Sequence, residues 1–175
     1  FQLSGGTTGV PKIIPRFQHE YVYNMRAVAE FMGYTPDDRI FVPMPMMHNL
    51  NMGACFGPFL LTGGMLAVAA DLTPQAMAQV FKLFKPTWTV MGGPIVEKLR
   101  PAIASGELPV DHLRGVISAN NAPSLRELLG CTVHHVFGMT EGVMMFTQAN
   151  DPMEVQDTMH GRPISTKDRV KIFQV

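Results

Sequence analysis

The chain has 175 residues, near the size of one domain, and 46% of them are apolar while only 16% are charged, against about 25% in an ordinary globular domain. Lysine plus arginine equals aspartate plus glutamate, so the formal net charge is zero, which argues against a dedicated nucleic-acid binder; the apolar content excludes a disordered segment. Cys55 and Cys131 have no metal-ligand spacing and form no disulfide framework, so the expected setting is a reducing cytoplasm.

The chain begins at Phe1 and almost at once reaches a Gly-rich run, Leu3-Ser4-Gly5-Gly6-Thr7-Thr8-Gly9. Its other end, Ile172-Phe173-Gln174-Val175, has the pattern of a strand interior, and the expectation is an excerpt of a larger protein. Tyr21, Val22, Met25, Val28, Ala29 and Met32 fall at near-helical spacing and predict a helix over Gln18–Met32. Asp37-Asp38 then leads into a strand at Ile40–Val42.

From Ile40 to Ala70 there is no Asp, Glu, Lys or Arg. About 20 apolar residues can cross a bilayer. Here Pro43, Pro45, His48, Asn49, Asn51, Pro58 and Gly63-Gly64 interrupt the run, so no membrane span is expected. The pattern predicts a helix over Met52–Leu61, ended by Gly63 and Gly64, and a strand at Met65–Ala69. Thr73 and Pro74 have the character of an N-cap and first helical residue, with the helix running to Phe84 and Pro86 stopping it.

Beyond it, a strand is expected at Trp88–Met91, a turn at Gly92-Gly93-Pro94 and a helix at Ile95–Ile103. Leu113–Ile117 reads as a strand, Ser124–Leu129 as a short helix and Thr132–Phe137 as another strand. Strands separated by helices predict an α/β fold of parallel-sheet layers flanked by helices. Ligands of such sheets gather beyond the carboxyl ends of the strands.

Glycines in residues 4–9 let backbone N–H groups approach an anion, the hydroxyls of Ser4, Thr7 and Thr8 add donors, and Lys12 adds charge. The Gly-Lys-Ser/Thr ending of a Walker A loop is absent. Taken alone, the segment suits either a phosphate cradle or a mobile hairpin turn.

The full string from Ser4 to Lys12 resembles the signature phosphate loop of the adenylate-forming enzymes, the superfamily of acyl-CoA synthetases, luciferases and nonribosomal peptide adenylation domains. Its extension Lys12-Ile13-Ile14-Pro15-Arg16 is similar to the stand-alone aryl-acid adenylating subgroup, typified by 2,3-dihydroxybenzoate–AMP ligase. Pro45-Met46-Met47-His48-Asn49 is similar to the family's Pro-x-x-His-Asn segment. His134 to Gly142 is similar to its aromatic-Gly-x-Thr-Glu segment, and Gly161-Arg162-Pro163 is a weaker match. The motifs occur in the family's order and cover essentially the whole chain.

The resemblance implies that residues 1–175 are the central part of a large N-terminal adenylation (AMP-binding) domain, with the C-terminal lid domain and its catalytic lysine absent. The implied reaction is ATP-dependent activation of an aromatic carboxylic acid to acyl-AMP, with pyrophosphate release. The acyl group then passes to an aryl or peptidyl carrier protein, in siderophore or nonribosomal peptide biosynthesis, or to coenzyme A. The implied cofactors are ATP and Mg²⁺, and the excerpt alone is expected to turn over little.

By the same resemblance Ser4, Gly5, Gly6, Thr7, Thr8, Gly9 and Lys12 wrap the β- and γ-phosphates. Thr140 contacts the α-phosphate and Glu141 binds Mg²⁺. Val136, Phe137, Gly138 and Met139 border the nucleotide, Phe137 with its face to adenine and His135 reaching the adenine amino group. Asn121 approaches adenine or ribose. Asn49 contacts the acid and His48 closes over it, while Leu50, Ala54, Asn120 and Gly142 complete the acid site.

Leu50 stands where the dihydroxybenzoate group typically has Tyr, and Ala54 where a hydroxyl is expected. These departures move the expectation from salicylate or 2,3-dihydroxybenzoate toward another, more apolar aryl acid. An acyl-CoA synthetase, an amino-acid adenylation domain and a degenerate nucleotide-binding module are the alternatives. The segment from Pro43 to Leu61 lacks the carboxylate that amino-acid domains use.

Without the motifs, Phe137 reads as a core residue and Glu141 as a solvated carboxylate. His134 and His135 are strand neighbours that point to opposite faces, so they make poor joint metal ligands. Met44, Met46, Met47, Met139, Met144 and Met145 suit core filling or an acyl pocket wall.

Overall fold

The computed structural model describes residues 1–3, 10–171 and 173. The expected phosphate-loop residues Ser4, Gly5, Gly6, Thr7, Thr8 and Gly9, and the expected strand at the far end except Phe173, lie outside the described residues. Two short strands stand on either side of the Gly-rich run in sequence: β1 (Gln2–Leu3) pairs antiparallel with β2 (Ile13–Ile14). Helix α1 (Gln18–Met32) has the predicted bounds. The Glu20 carboxylate accepts from the Phe17 N–H at its start (3.2 Å), and Val28, Ala29 and Met32 are buried near its end.

After β3 (Arg39–Phe41) comes a difference from expectation. The helix predicted over Met52–Leu61 is a π-helix at Asn51–Phe56 that continues as α2 (Gly57–Thr62). Asn51 is fully buried in it and donates through Nδ2 to the Pro45 carbonyl at 2.7 Å. Gly57 lets the helix approach α1, since a Cβ there would lie 2.4 Å from Met25 Sδ. Apolar spacing does not reveal a widened turn of this kind.

Next come β4 (Met65–Ala67) and α3 (Pro74–Phe84), capped by Thr73 Oγ1 accepting from the Ala76 N–H at 3.2 Å. Strand β5 (Trp88–Val90) precedes α4 (Gly93–Ala104), which starts inside the predicted turn because extended Gly92 is its N-cap and Pro94 suits a first helical turn. Strand β6 (Gly115–Ser118), helix α5 (Ala122–Leu129) and strand β7 (Thr132–Gly138) complete the expected alternation. The sequence did not announce β8 (Met144–Phe146), α6 (Met153–Thr158) or β9 (Arg162–Pro163).

The main sheet has the order β4-β3-β5-β6-β7-β8-β9. Its first five strands are parallel, and β8 and β9 extend it antiparallel. One face carries Phe41, Val116 and Val133 under Met77, Phe81, Leu99 and Leu125 of α3, α4 and α5. The other carries Ile40, Trp88, Val90 and Ile117 under α1 and the π-helix. Gly115 makes room for Trp88, whose ring would come within 2.3 Å of any Cβ there. The chain crosses from β4 back past β3 to β5, so a topological switch lies between β3 and β5, and the carboxyl ends of the parallel strands are the place for a ligand. Among the described residues no helix is long and apolar enough to cross a membrane.

Candidate active site

The segments that follow β3, β6 and β7 surround a cleft of about 850 Å³ at the carboxyl ends of the strands. His48, Asn49 and Leu50 form one wall. Val136 and Gly138 of β7, with Met139, Thr140 and Glu141 of the turn after it, form another. Ala119, Met144 and β1 also border the cleft. Two distant sequence motifs therefore share one cavity. Of the methionines singled out in the sequence, Met47, Met139 and Met144 line it, whereas Met44, Met46 and Met145 do not.

The turn carrying Thr140 and Glu141 is held from both sides. Within it, the Met139 N–H donates to the Val143 carbonyl (3.0 Å) and the Gly142 N–H to the Met139 carbonyl (3.1 Å). From outside, Arg16 Nη1 donates to the Thr140 carbonyl (2.9 Å) and Asn24 Nδ2 to the Gly142 carbonyl (2.9 Å). The Arg16 side chain is only 7% exposed and its guanidinium lies 5.0 Å from the centre of the Tyr21 ring. Gly142 has φ 138°, which favours glycine, and an added Cβ would meet Arg16 Nη2 at 3.3 Å.

Asn49 is oriented by two partners. Its Oδ1 accepts from the Tyr21 hydroxyl at 2.7 Å, and its Nδ2 donates to the Met139 carbonyl at 3.3 Å. His48 is exposed and its Nδ1 accepts from the Leu50 N–H at 3.2 Å. Glu141 is exposed, and among the described residues its carboxylate makes no hydrogen bond or ion pair. No cluster of three histidines, cysteines or acidic residues gathers anywhere among the described residues. That donor set suits a cation held by one carboxylate and by the oxygens of a substrate, as Mg²⁺ is, and does not suit a caged structural metal.

His135 and Phe137 lie on the opposite face of β7 from Val136 and Gly138, as strand alternation requires. His135 is 9% exposed, with Nε2 2.6 Å from the Ala119 carbonyl and Nδ1 2.9 Å from the Met159 carbonyl. The His160 ring lies 4.8 Å from that of His135 and 5.2 Å from that of Phe137. Asn120 and Asn121 are exposed in the turn before α5, where Asn121 has φ 62° and the Ser118 hydroxyl donates to the Asn120 carbonyl (2.8 Å). His134 points the other way, against Trp88, with Nδ1 2.8 Å from the Thr147 carbonyl, and its burial pushes the imidazole below its usual pKa.

The structure thus brings His48, Asn49, Leu50, Val136, Gly138, Met139, Thr140 and Glu141 to one cleft, and it leaves Phe137, His135, Asn120 and Asn121 outside the cleft lining. Ala54 is fully buried in the π-helix, outside the cleft lining, with its carbonyl accepting from the Tyr34 hydroxyl at 3.1 Å. Gly142 is not in the lining either; it lies in the turn, where its carbonyl accepts from Asn24. Lys12 is exposed just before β2, also outside it. Sequence reasoning missed Tyr21, Asn24 and Arg16 as partners of the site. Tyr21 and Asn24 are three residues apart on one helix and so share a face, which was the available signal.

A family model described as "AMP-binding enzyme" matches residues 1–174. The chain is 34% identical over 180 residues to the "Pyochelin synthase PchD" of Pseudomonas aeruginosa (strain UCBPP-PA14), covering 98% of this chain and 33% of that protein. It is 32% identical over 180 residues to the "Vibriobactin-specific 2,3-dihydroxybenzoate-AMP ligase" of Vibrio cholerae, with the same coverage of both chains. The solved structure "Mycobacterium smegmatis MbtA apo structure" superposes with TM-score 0.85 at 30% identity, over 98% of this chain and 33% of that one. The chain spans about a third of the length of the curated relatives it matches.

Proposed function

The chain belongs to the AMP-binding enzyme family, and from that premise we propose that it is the core of an adenylation domain whose whole protein activates an aromatic carboxylic acid. A carboxylate oxygen of the acid forms a bond to the α-phosphorus of ATP. The bond from that phosphorus to the bridging oxygen of the β-phosphate breaks, and pyrophosphate leaves with the electron pair. The product is acyl-AMP. The observation that carries this reading is that His48, Asn49, Thr140 and Glu141, from two distant motifs, line one cleft.

In this reading Asn49 holds the acid, with His48 closing the mouth of the cleft. Thr140 approaches the α-phosphate, and Glu141 holds Mg²⁺, which offsets the triphosphate charge when bound. Arg16 and Asn24 keep the turn fixed, so the two groups need little reorganisation as charge develops. Residues 4–9 and Lys12 wrap the outer phosphates, and His135, Phe137 and Asn121 serve the nucleotide from the other face of β7. Leu50 and Met144 give the acid site an apolar wall and favour an aryl acid with fewer polar substituents than 2,3-dihydroxybenzoate.

The acceptor is a thiol, of a carrier protein or of coenzyme A, and the names of the similar proteins favour the siderophore and nonribosomal peptide setting. We place the reaction in the cytoplasm, where ATP is available. Cys55 and Cys131 suit it as free thiols, Cys131 pushed up to about 11 by burial and so kept protonated. The test is ATP–pyrophosphate exchange by the whole protein over a panel of aromatic acids. Exchange dependent on one of them is expected, and exchange with none of them overturns the reading.

A further inference from the structure

We propose that Tyr21 is a positioning residue that anchors the Asn49 side chain in the acid-binding wall. The inference rests on the adenylation reading for its consequence in catalysis, but its geometry stands on its own. The Asn49 side chain has one acceptor oxygen and two N–H donors. Carboxamide oxygens only accept, so the Tyr21 hydroxyl, at 2.7 Å, is the donor of the pair. That contact anchors the side chain toward α1, while the Met139 carbonyl, which can only accept, fixes Nδ2 as the end that faces it. The opposite end of the amide donates one N–H to the Met139 carbonyl, at a longer 3.3 Å. The second N–H remains as the spare donor of a residue that lines the cleft.

A spare donor suits a carboxylate oxygen, whereas a turned amide would offer that oxygen an acceptor and would set Oδ1 against the Met139 carbonyl. The stronger, shorter bond of the two is the one from Tyr21, so removing it leaves only the long contact to hold the side chain in place. Tyr21 is well suited to the task. It is half-buried, and burial holds its phenol above the usual pKa despite the nearby Arg16 guanidinium, so it stays a donor at every physiological pH. The same guanidinium holds the Thr140 carbonyl while lying over the Tyr21 ring. One turn of α1 therefore reaches the acid wall through Tyr21 and the phosphate wall through Asn24.

The test uses Tyr21→Phe in the whole protein, which keeps the ring under Arg16 and removes only the hydroxyl. The KM for the acid is expected to rise about five- to tenfold, the worth of one neutral hydrogen bond, with the KM for ATP within about twofold of wild type. On an Asn49→Ala background the same substitution is expected to change the acid KM no further. An unchanged acid KM, or an equal rise on that background, overturns the proposal. A second readout needs no acid: the side-chain amide resonances of Asn49, in protein labelled with ¹⁵N-asparagine, are expected to shift in Tyr21→Phe. If they do not move, the positioning role falls whichever acid is activated. If they move while the wild type exchanges with no acid at all, the positioning role stands and the adenylation reading is what fails.

Discussion

At the amino end of the parallel strands Asp38 is 1% exposed and its carboxylate is saturated, whereas at the carboxyl end Glu141 is exposed and engages nothing among the described residues. Asp38 Oδ1 accepts from Arg114 Nη1 and from the Thr87 hydroxyl, both at 2.8 Å. Its Oδ2 accepts from the Thr35 N–H (2.9 Å) and the Thr35 hydroxyl (3.0 Å). The carboxylate thus ties together the segments that enter β3, β5 and β6. Around Glu141 the backbone is held as tightly, by Arg16 and Asn24, but the side chain is not. A carboxylate whose lone pairs are all used has little capacity left for a ligand. One on a fixed backbone with no protein partner keeps that capacity.

That contrast breaks if the two acids behave alike on substitution. Glu141→Gln in the whole protein is expected to lower acid-dependent pyrophosphate exchange by roughly 10³-fold, about 4 kcal/mol, as for loss of one group that stabilises transition-state charge. Its urea midpoint is expected to stay at the wild-type value. A fall in stability with exchange preserved would place Glu141 among the structural carboxylates. Asp38→Ala is expected to show the reverse. It leaves half-buried donors of Thr35 and Thr87, and the Arg114 guanidinium, without their buried acceptor and should cost about 3 kcal/mol of unfolding free energy, read from urea denaturation. Retention of full stability would show that the saturated carboxylate holds nothing together.

The same division decides what the sequence could reveal. Long periodic elements are legible because burial repeats along them: α1 and α3 have the predicted bounds, and the cap at Thr73 is where Pro74 implies it. The motif residues of the cleft were legible only through the resemblance of the ordered motifs to a known family, since Glu141 taken alone reads as a solvated carboxylate. What escaped depends on tertiary fit. Met144–Phe146 and Arg162–Pro163 become strands only by pairing with β7 and with each other, and neither is long enough to show alternation. The π-helix is fixed by the burial of Asn51 and the packing of Gly57 on Met25. Ala54 falls in the right motif, yet that widened turn buries it. Tyr21 fits an apolar helical position equally well as a core residue, and only the position of Asn49 turns its hydroxyl into a contact with the site.

The smallest effect concerns His134, which separates the two faces of β7. It is 6% exposed against Trp88, whereas His135, one residue on, meets the carbonyls of Ala119 and Met159. Burial lowers the His134 pKa from its ordinary 6.5 more than the Thr147 carbonyl raises it. The folded protein therefore binds fewer protons at this ring than the unfolded chain does wherever the pH lies between the two pKa values. Stability from the neutral ring is fully present above the unfolded value of about 6.5. It is lost as pH falls through that value toward the lower folded pKa, because the unfolded state then gains a proton that the buried ring resists. His134→Phe keeps an aromatic ring against Trp88 but gives up the contact with the Thr147 carbonyl. At pH 7.5 the variant is expected to be the less stable of the two, and by pH 5.5 the gap in urea midpoint should narrow as the wild type loses ground. The remaining histidines are common to both proteins and cancel in the difference. Parallel pH profiles would mean that His134 titrates as it does in the unfolded chain and that its burial against Trp88 does not resist the proton.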